Sequence, residues 1–260
     1  MTEEPDARGG RGRDGSLRRL ALLATLIAVG CAPAMPPEDA TPRGRFGWAV
    51  ERFQKGEYHT AIRGLRDFLF REPLHPAGDS ARFLLGEAYL ETGQELLAAN
   101  EFSQLAASRP NSPLADDAQL GACRSYWALS PDLPRDQEFT EKTIEECTRL
   151  LEFFPRSPLT RDASRLLTEA RNKIAAKKLR TATWYYKRGL LESAIIYLET
   201  VQQDYPSAPV MPAVLYTLWD SYRRVGFQAE ADAVRDRLRR DFPDAPETAR
   251  LGPAGDDGDG

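Results

Sequence analysis

The sequence of 260 residues predicts an all-α fold, an α-solenoid of about five helix pairs, on three observations. The first is the stretch 81–113, ARFLLGEAYLETGQELLAANEFSQLAASRPNSP, in which Ala81, Leu85, Gly86 and Tyr89 fall on one helical face. Thr92-Gly93 breaks that pattern, Ala98, Phe102 and Leu105 resume it on a second helix, and Pro110 closes it. The second is the placing of small residues. Gly86 and Ala98 stand where two antiparallel helices would approach most closely, with Tyr89 and Phe102 filling the space beside them. The third is punctuation: Pro73–Pro76, Pro110–Pro113, Pro155–Pro158, Pro206–Pro209 and Pro243–Pro246 are all P-x-x-P. Five residues after the second proline, Ala81, Ala118, Ala163 or Val214 opens a helix. One P-x-x-P could be a polyproline ligand. Five in register with helix-pair signals are the spacers of a tetratricopeptide-like (TPR-like) repeat array.

The chain begins with a different kind of segment. Residues 1–19 are polar and Gly/Arg-rich, and Leu20 to Val29 is an apolar run too short to span a bilayer as a mature helix. With the small Gly30 they read as a secretory signal over 1–30. Ala28-Val29-Gly30-Cys31 resembles a bacterial lipobox. The resemblance implies that Cys31 receives a diacylglyceryl group and, after cleavage, becomes an N-terminus carrying acyl chains such as palmitate. Ala28 stands where leucine is usual, and an ordinary cleaved signal with an incidental cysteine is the alternative. Ala32, where an aspartate would direct otherwise, resembles the sorting context of outer-membrane lipoproteins. Several acyl chains, at about 0.8 kcal/mol per buried methylene, would hold the protein on a membrane stably. The Pro- and Ala-rich residues that follow make 31–44 an acylated cysteine with a flexible tether.

The repeats then run at about 45–75, 76–112, 113–157, 158–208 and 209–246. Repeat one has Trp48 and Ala49 in its first helix, a break at Gly56, and Ala61, Leu65 and Phe68 in its second. Repeat three begins with Ala118, Ala122, Cys123 and Tyr126, but Ser130 to Phe139 enlarges its turn before Thr143, Cys147 and Leu150 resume. A loop of that length inside a compact repeat is expected to be functional or mobile. From Asp162 to Arg180 an Arg-, Lys-, Leu- and Ala-rich segment merges with Trp184, Tyr185 and Tyr186, predicting one long helix in the C-terminal half. Residues 247–260 are polar with terminal Gly and Asp, and read as a disordered tail.

Composition excludes several function classes. The formal net charge is −4, and the signal stretch, with five Arg against Glu3, Glu4, Asp6 and Asp14, leaves the remainder slightly more acidic. There is no basic-aromatic interleaving of the kind that binds nucleic acid. Two histidines, His59 and His75, and no H-x-x-x-H, C-x-x-C or G-x-S-x-G give catalysis and metal binding nothing to stand on. No cofactor is expected beyond the lipid on Cys31. Glu145 and Glu146 read as solvated charges on a polar helix face. Cys123 and Cys147 sit where the motif takes small apolar residues, so buried thiols are expected, with a disulfide the alternative in an oxidising compartment.

What remains points to binding. In a TPR array the first helix of each pair lines the concave face, which places Phe46, Val50, Phe53, Phe83, Glu87 and Leu90 there. A solvated groove has no need of three phenylalanines, so these residues form a candidate groove for an extended apolar-aromatic peptide. Packing of Phe46 and Phe53 against the tether or a neighbouring helix is the other reading. Arg124 and Trp127 either extend the groove or cover the insertion.

The irregular features, taken in order, resemble the BamD (YfiO) family of TPR lipoproteins over roughly residues 45–245. They are the lipobox, five repeats, the Asp136-Gln137 insertion, the run FPRSPLTRDA at 154–163, and the long helix ending in Tyr185-Tyr186-Lys187-Arg188-Gly189. The resemblance implies a non-enzymatic, outer-membrane-anchored periplasmic scaffold of the β-barrel assembly machinery. It implies docking of the C-terminal repeats on the POTRA domains of a BamA-like barrel protein, through Tyr185, Tyr186, Arg188 and the position of Tyr197. It implies unfolded outer-membrane proteins as clients of the N-terminal repeats, with other lipoproteins as further partners, a membrane met only through the lipid, and no nucleic acid. At Tyr197 the family pattern implies an arginine that pairs with BamA, and a tyrosine cannot make that ion pair. The alternative is an envelope TPR scaffold similar to the CpoB (YbgF) family, which coordinates peptidoglycan synthesis with constriction. Those proteins carry an N-terminal coiled coil and generally lack a lipobox, whereas no sustained heptads follow Cys31 here.

Overall fold

The computed structural model describes residues 35–38 and 40–251. The signal, Cys31 and the tail from 252 lie outside the described residues. All regular structure within them is helical: α1 (Pro42–Gln54), α2 (Tyr58–Arg71), α3 (Gly78–Glu91), α4 (Glu95–Ser108), α5 (Ala115–Leu129), α6 (Glu138–Phe153), α7 (Thr160–Lys187), α8 (Leu191–Asp204), α9 (Met211–Val225), α10 (Gln228–Asp241) and the short α11 (Pro246–Ala249). The first ten form five antiparallel pairs, and each pair stacks on the next. The odd-numbered helices α1, α3, α5, α7 and α9 also touch one another in succession, so they form the inner layer of the solenoid. The expected all-α solenoid with one long C-terminal-half helix is what the chain forms.

Local chemistry sets the boundaries. Thr41 caps α1, its Oγ1 accepting from the Gly44 N–H at 3.2 Å, and Pro42 follows at the first helical position. Within four of the pairs the turn is closed by a glycine at positive φ, from 67° at Gly93 to 88° at Gly226, a conformation that any Cβ would strain. Repeat three has no such glycine, and there the eight residues 130–137 replace the tight turn.

The core is not one body but three clusters. The N-terminal cluster is built around the fully buried Leu65, Phe68, Leu85, Phe102 and Leu105. Phe102 is gripped between helices: a methyl group at Gly86 of α3 would come within 2.7 Å of its ring, and one at Gly121 of α5 within 2.8 Å. The C-terminal cluster runs from Ala175 to Leu238. Between them lies a small one of Leu120, Cys123, Cys147, Leu150, Ala163 and Leu166. Helix α7 serves two of these, giving Ala163 and Leu166 to the middle and Ala175 and Ala182 to the C-terminal cluster.

Four features differ from the sequence reading. Cys123 and Cys147 are joined by a disulfide, with Cα atoms 5.3 Å apart, where buried thiols were expected; they face each other across the α5–α6 pair at a separation that a disulfide spans. Glu146 is not solvated but 5% exposed. The Gln119 amide donates to its Oε2 at 2.6 Å and to its backbone oxygen at 3.0 Å, replacing the water a buried carboxylate requires. Before α1, Pro36 is buried and Arg45 donates to the Glu38 and Ala40 carbonyls, so the last part of the tether stretch is held on the solenoid. Beyond 246 the chain stays ordered through α11, because Thr248 donates to the Phe242 carbonyl at 2.6 Å and Leu251 packs on the C-terminal cluster.

Candidate partner-binding surfaces

The six residues of the N-terminal candidate groove lie on the inner helices α1 and α3, all half-buried. Each phenylalanine spends part of its ring on its own repeat. Phe46 packs on Phe68 at 5.3 Å between ring centroids, Phe53 meets Tyr58 edge-on at 5.4 Å, and Phe83 leans on Phe102 at 5.5 Å. Leu90 likewise rests on the N-terminal cluster. The apolar surface left over is therefore partial, distributed along two helices, and suited to side chains spaced along an extended segment.

Glu87 is the polar member of this face. Burial pushes its carboxyl above the usual range, Arg124 of α5 opposes that, and Glu91 and Asp117 add to it. Arg124 in turn pairs with Asp162 of α7 at 3.2 Å, so a line of charges crosses the inner layer from α3 to α7. Trp127 goes the other way. The Lys173 ammonium lies 5.2 Å over its ring and donates to the Ser130 Oγ at 2.7 Å, placing Trp127 beside the insertion rather than in the groove. The insertion itself is built on the buried Gln137, whose amide donates to the carbonyls of Pro131, Asp132 and Arg135.

At the C-terminal end, Tyr185 and Tyr197 stack with ring centroids 5.5 Å apart and 18° between planes. Trp184 meets Tyr185 edge-on at 4.9 Å, and the Arg188 guanidinium lies 3.7 Å from the centre of the Trp184 ring. Three of the four predicted residues thus join one patch, together with Trp184, which remains 49% exposed. The fourth does not. Tyr186 turns to α9, where its hydroxyl donates to Asp220 Oδ2 at 2.6 Å. Burial pushes the Asp220 carboxyl up, but hydrogen bonds from Tyr186 and Arg223 and the charges of Arg223 and Arg224 outweigh it and hold it low.

Sequence reasoning missed Trp184 and Asp220 as members of these surfaces. Trp184 lies four residues before Arg188, neighbours on one helical face, which is a readable signal. Asp220 lies 34 residues after Tyr186, one TPR period, and only the repeat spacing hints at their meeting. The patch stands on a basic stretch: from 171 to 191 there are seven Lys and Arg and no Asp or Glu. Among the described residues no helix is long and apolar enough to cross a membrane, and no cluster of His, Cys, Asp and Glu could hold a metal ion.

Comparison with known proteins gives a family model, YfiO, described as outer membrane lipoprotein, that matches residues 39–238. The chain is 22% identical over 231 residues to the outer membrane protein assembly factor BamD of Caulobacter vibrioides, covering 86% of this chain and 75% of that protein. It is 24% identical over 230 residues to the BamD of Vibrio cholerae, covering 84% and 95%. Among solved structures, a thermophilic TPR protein of Thermus thermophilus is similar at 15% identity with a TM-score of 0.37, over 81% of this chain and 96% of that one.

Proposed function

The chain belongs to the YfiO family of outer membrane lipoproteins, and we propose that it is an outer membrane protein assembly factor working as a periplasmic scaffold anchored through Cys31. In this reading the patch of Trp184, Tyr185, Arg188 and Tyr197 docks the POTRA domains of a BamA-like barrel protein. The half-buried aromatics of α1 and α3 receive unfolded barrel precursors. The match of the family model over 39–238 carries the reading, because it includes both surfaces. Tyr197 changes how the docking would work. Stacked on Tyr185, it offers an aromatic face where the family pattern implies an ion pair, and Arg188 over Trp184 supplies a cation one helical turn away.

The test is recovery of partners from the envelope. A tagged full-length protein, extracted in mild detergent, should bring down a POTRA-containing barrel protein identified by mass spectrometry. Trp184→Ala with Arg188→Glu should lower that recovery about tenfold or more, as loss of an aromatic-arginine anchor does. A photo-crosslinking residue at Val50 or Leu90 should capture unfolded outer-membrane proteins. Recovery of peptidoglycan synthases with no barrel protein would overturn the assembly reading and favour the constriction scaffold.

A further inference from the structure

The stretch before α1 is short and pinned. The Arg45 guanidinium is buried and donates to the Glu38 carbonyl, to the Ala40 carbonyl at 3.1 Å and to Asp67 of α2 at 3.4 Å. Pro36 is buried, and Met35 lines a cleft of about 580 Å³ together with Arg63, Arg66 and Phe70 of α2 and Arg82 of α3. Only Ala32, Pro33 and Ala34 separate Met35 from Cys31. Four residue steps reach at most about 14 Å. An acyl chain on Cys31 therefore brings the outer side of α2 close to the bilayer, instead of leaving the solenoid free on a long leash.

That side joins open apolar side chains to arginines. Phe70 is 85% exposed, and Leu74, in the loop that follows α2, is 89% exposed, the two most exposed large apolar residues described. The carboxylates nearby are already engaged, Asp67 by Arg45 and Arg71 and Glu101 by Arg82. Arg63 and Arg66, one helical turn apart, have no carboxylate partner among the described residues. Exposed aromatic and aliphatic groups beside uncompensated arginines match the boundary between lipid headgroups and acyl chains.

We propose that the outer face of α2 is a membrane-contact surface, on which Phe70 and Leu74 enter the headgroup boundary and Arg63 and Arg66 meet lipid phosphates. This rests on the acylation of Cys31. Each arginine near an anionic surface contributes about 1 kcal/mol, too little to bind alone. It suffices to orient a protein whose anchor already holds it at high local concentration. The solenoid then projects from the bilayer in one preferred attitude, with α2 against the lipid.

The test uses the full-length lipoprotein in phosphatidylethanolamine–phosphatidylglycerol vesicles. With Cys31 acylated and Cys123 bridged to Cys147, Phe70→Cys supplies the one thiol for an environment-sensitive fluorophore. Phe153→Cys, at the next most open large apolar position described, 72% exposed at the end of α6, is the control. Lipids brominated along the acyl chain should quench the label at 70 about threefold more than the label at 153, and Arg63→Glu with Arg66→Glu should remove about half of the difference or more. Equal quenching at both positions, with the lipid found on Cys31 by mass spectrometry of the N-terminal peptide, overturns the membrane face and leaves the acylation standing. An unmodified Cys31 overturns both.

Discussion

Glu87 holds a carboxyl where the fold would prefer none. Its folded pKa is raised above the ordinary 4.5 by burial, against the pull of Arg124. The folded state therefore binds more protons than the unfolded one above that pH, and stability falls as pH rises through the window between the two values. Glu87→Gln should raise the melting temperature at pH 7 and give little or no gain below pH 4.5, which thermal scans at the two pH values will check. A residue that weakens the fold at neutral pH fits a surface kept for binding. Phe102 shows the opposite economy. Fully buried between Gly86 and Gly121, it should cost about 3–5 kcal/mol when cut to alanine. Gly121→Ala should cost about 1–3 kcal/mol by pressing on the same ring, measured by urea unfolding. Gly86 was legible in the sequence because it lies within the pair that Phe102 completes. Gly121 was not, since it meets Phe102 across the boundary between repeats. The burial of Glu146 escapes the sequence for a similar reason: the helical pattern of α6 says nothing of the Gln119 amide that α5 brings to it.

At the scale of elements, repeat three is the exception that the others define. Four pairs close on a glycine at positive φ, while α5 and α6 are joined by the 130–137 loop and held by the Cys123–Cys147 disulfide. The disulfide lies in the smallest of the three core clusters, where little apolar surface is available to hold the pair. Closing a loop of 24 residues should stabilise by about 3 kcal/mol, so Cys123→Ser with Cys147→Ser, or a reductant, should lower the denaturant midpoint accordingly. Gln137 does for the loop what the disulfide does for the helices. Gln137→Ala would remove the amide donor that the Pro131 and Asp132 carbonyls share and should cost about 1–3 kcal/mol, with the loss read as faster amide exchange in 130–140. The enlarged turn was plain in the sequence. That it is ordered, clamped by Lys173 and Lys177 from α7, was not, because those contacts lie more than forty residues apart.

For the molecule as a whole, the repeat register was legible because each proline pair and each turn glycine acts locally, while the placing of the two surfaces required the solenoid. The stack makes Tyr185 and Tyr186 part company, one to the patch with Tyr197 and one to Asp220, a division their adjacency in sequence conceals. Helix α7 has a consequence for how such a scaffold works. Its 28 residues run unbroken for about 42 Å, rooted in the middle cluster at one end and the C-terminal cluster at the other. A strut of that kind does not bend to bring its ends together. The middle repeat is therefore held at one spacing and one angle from whatever docks at the C-terminal patch.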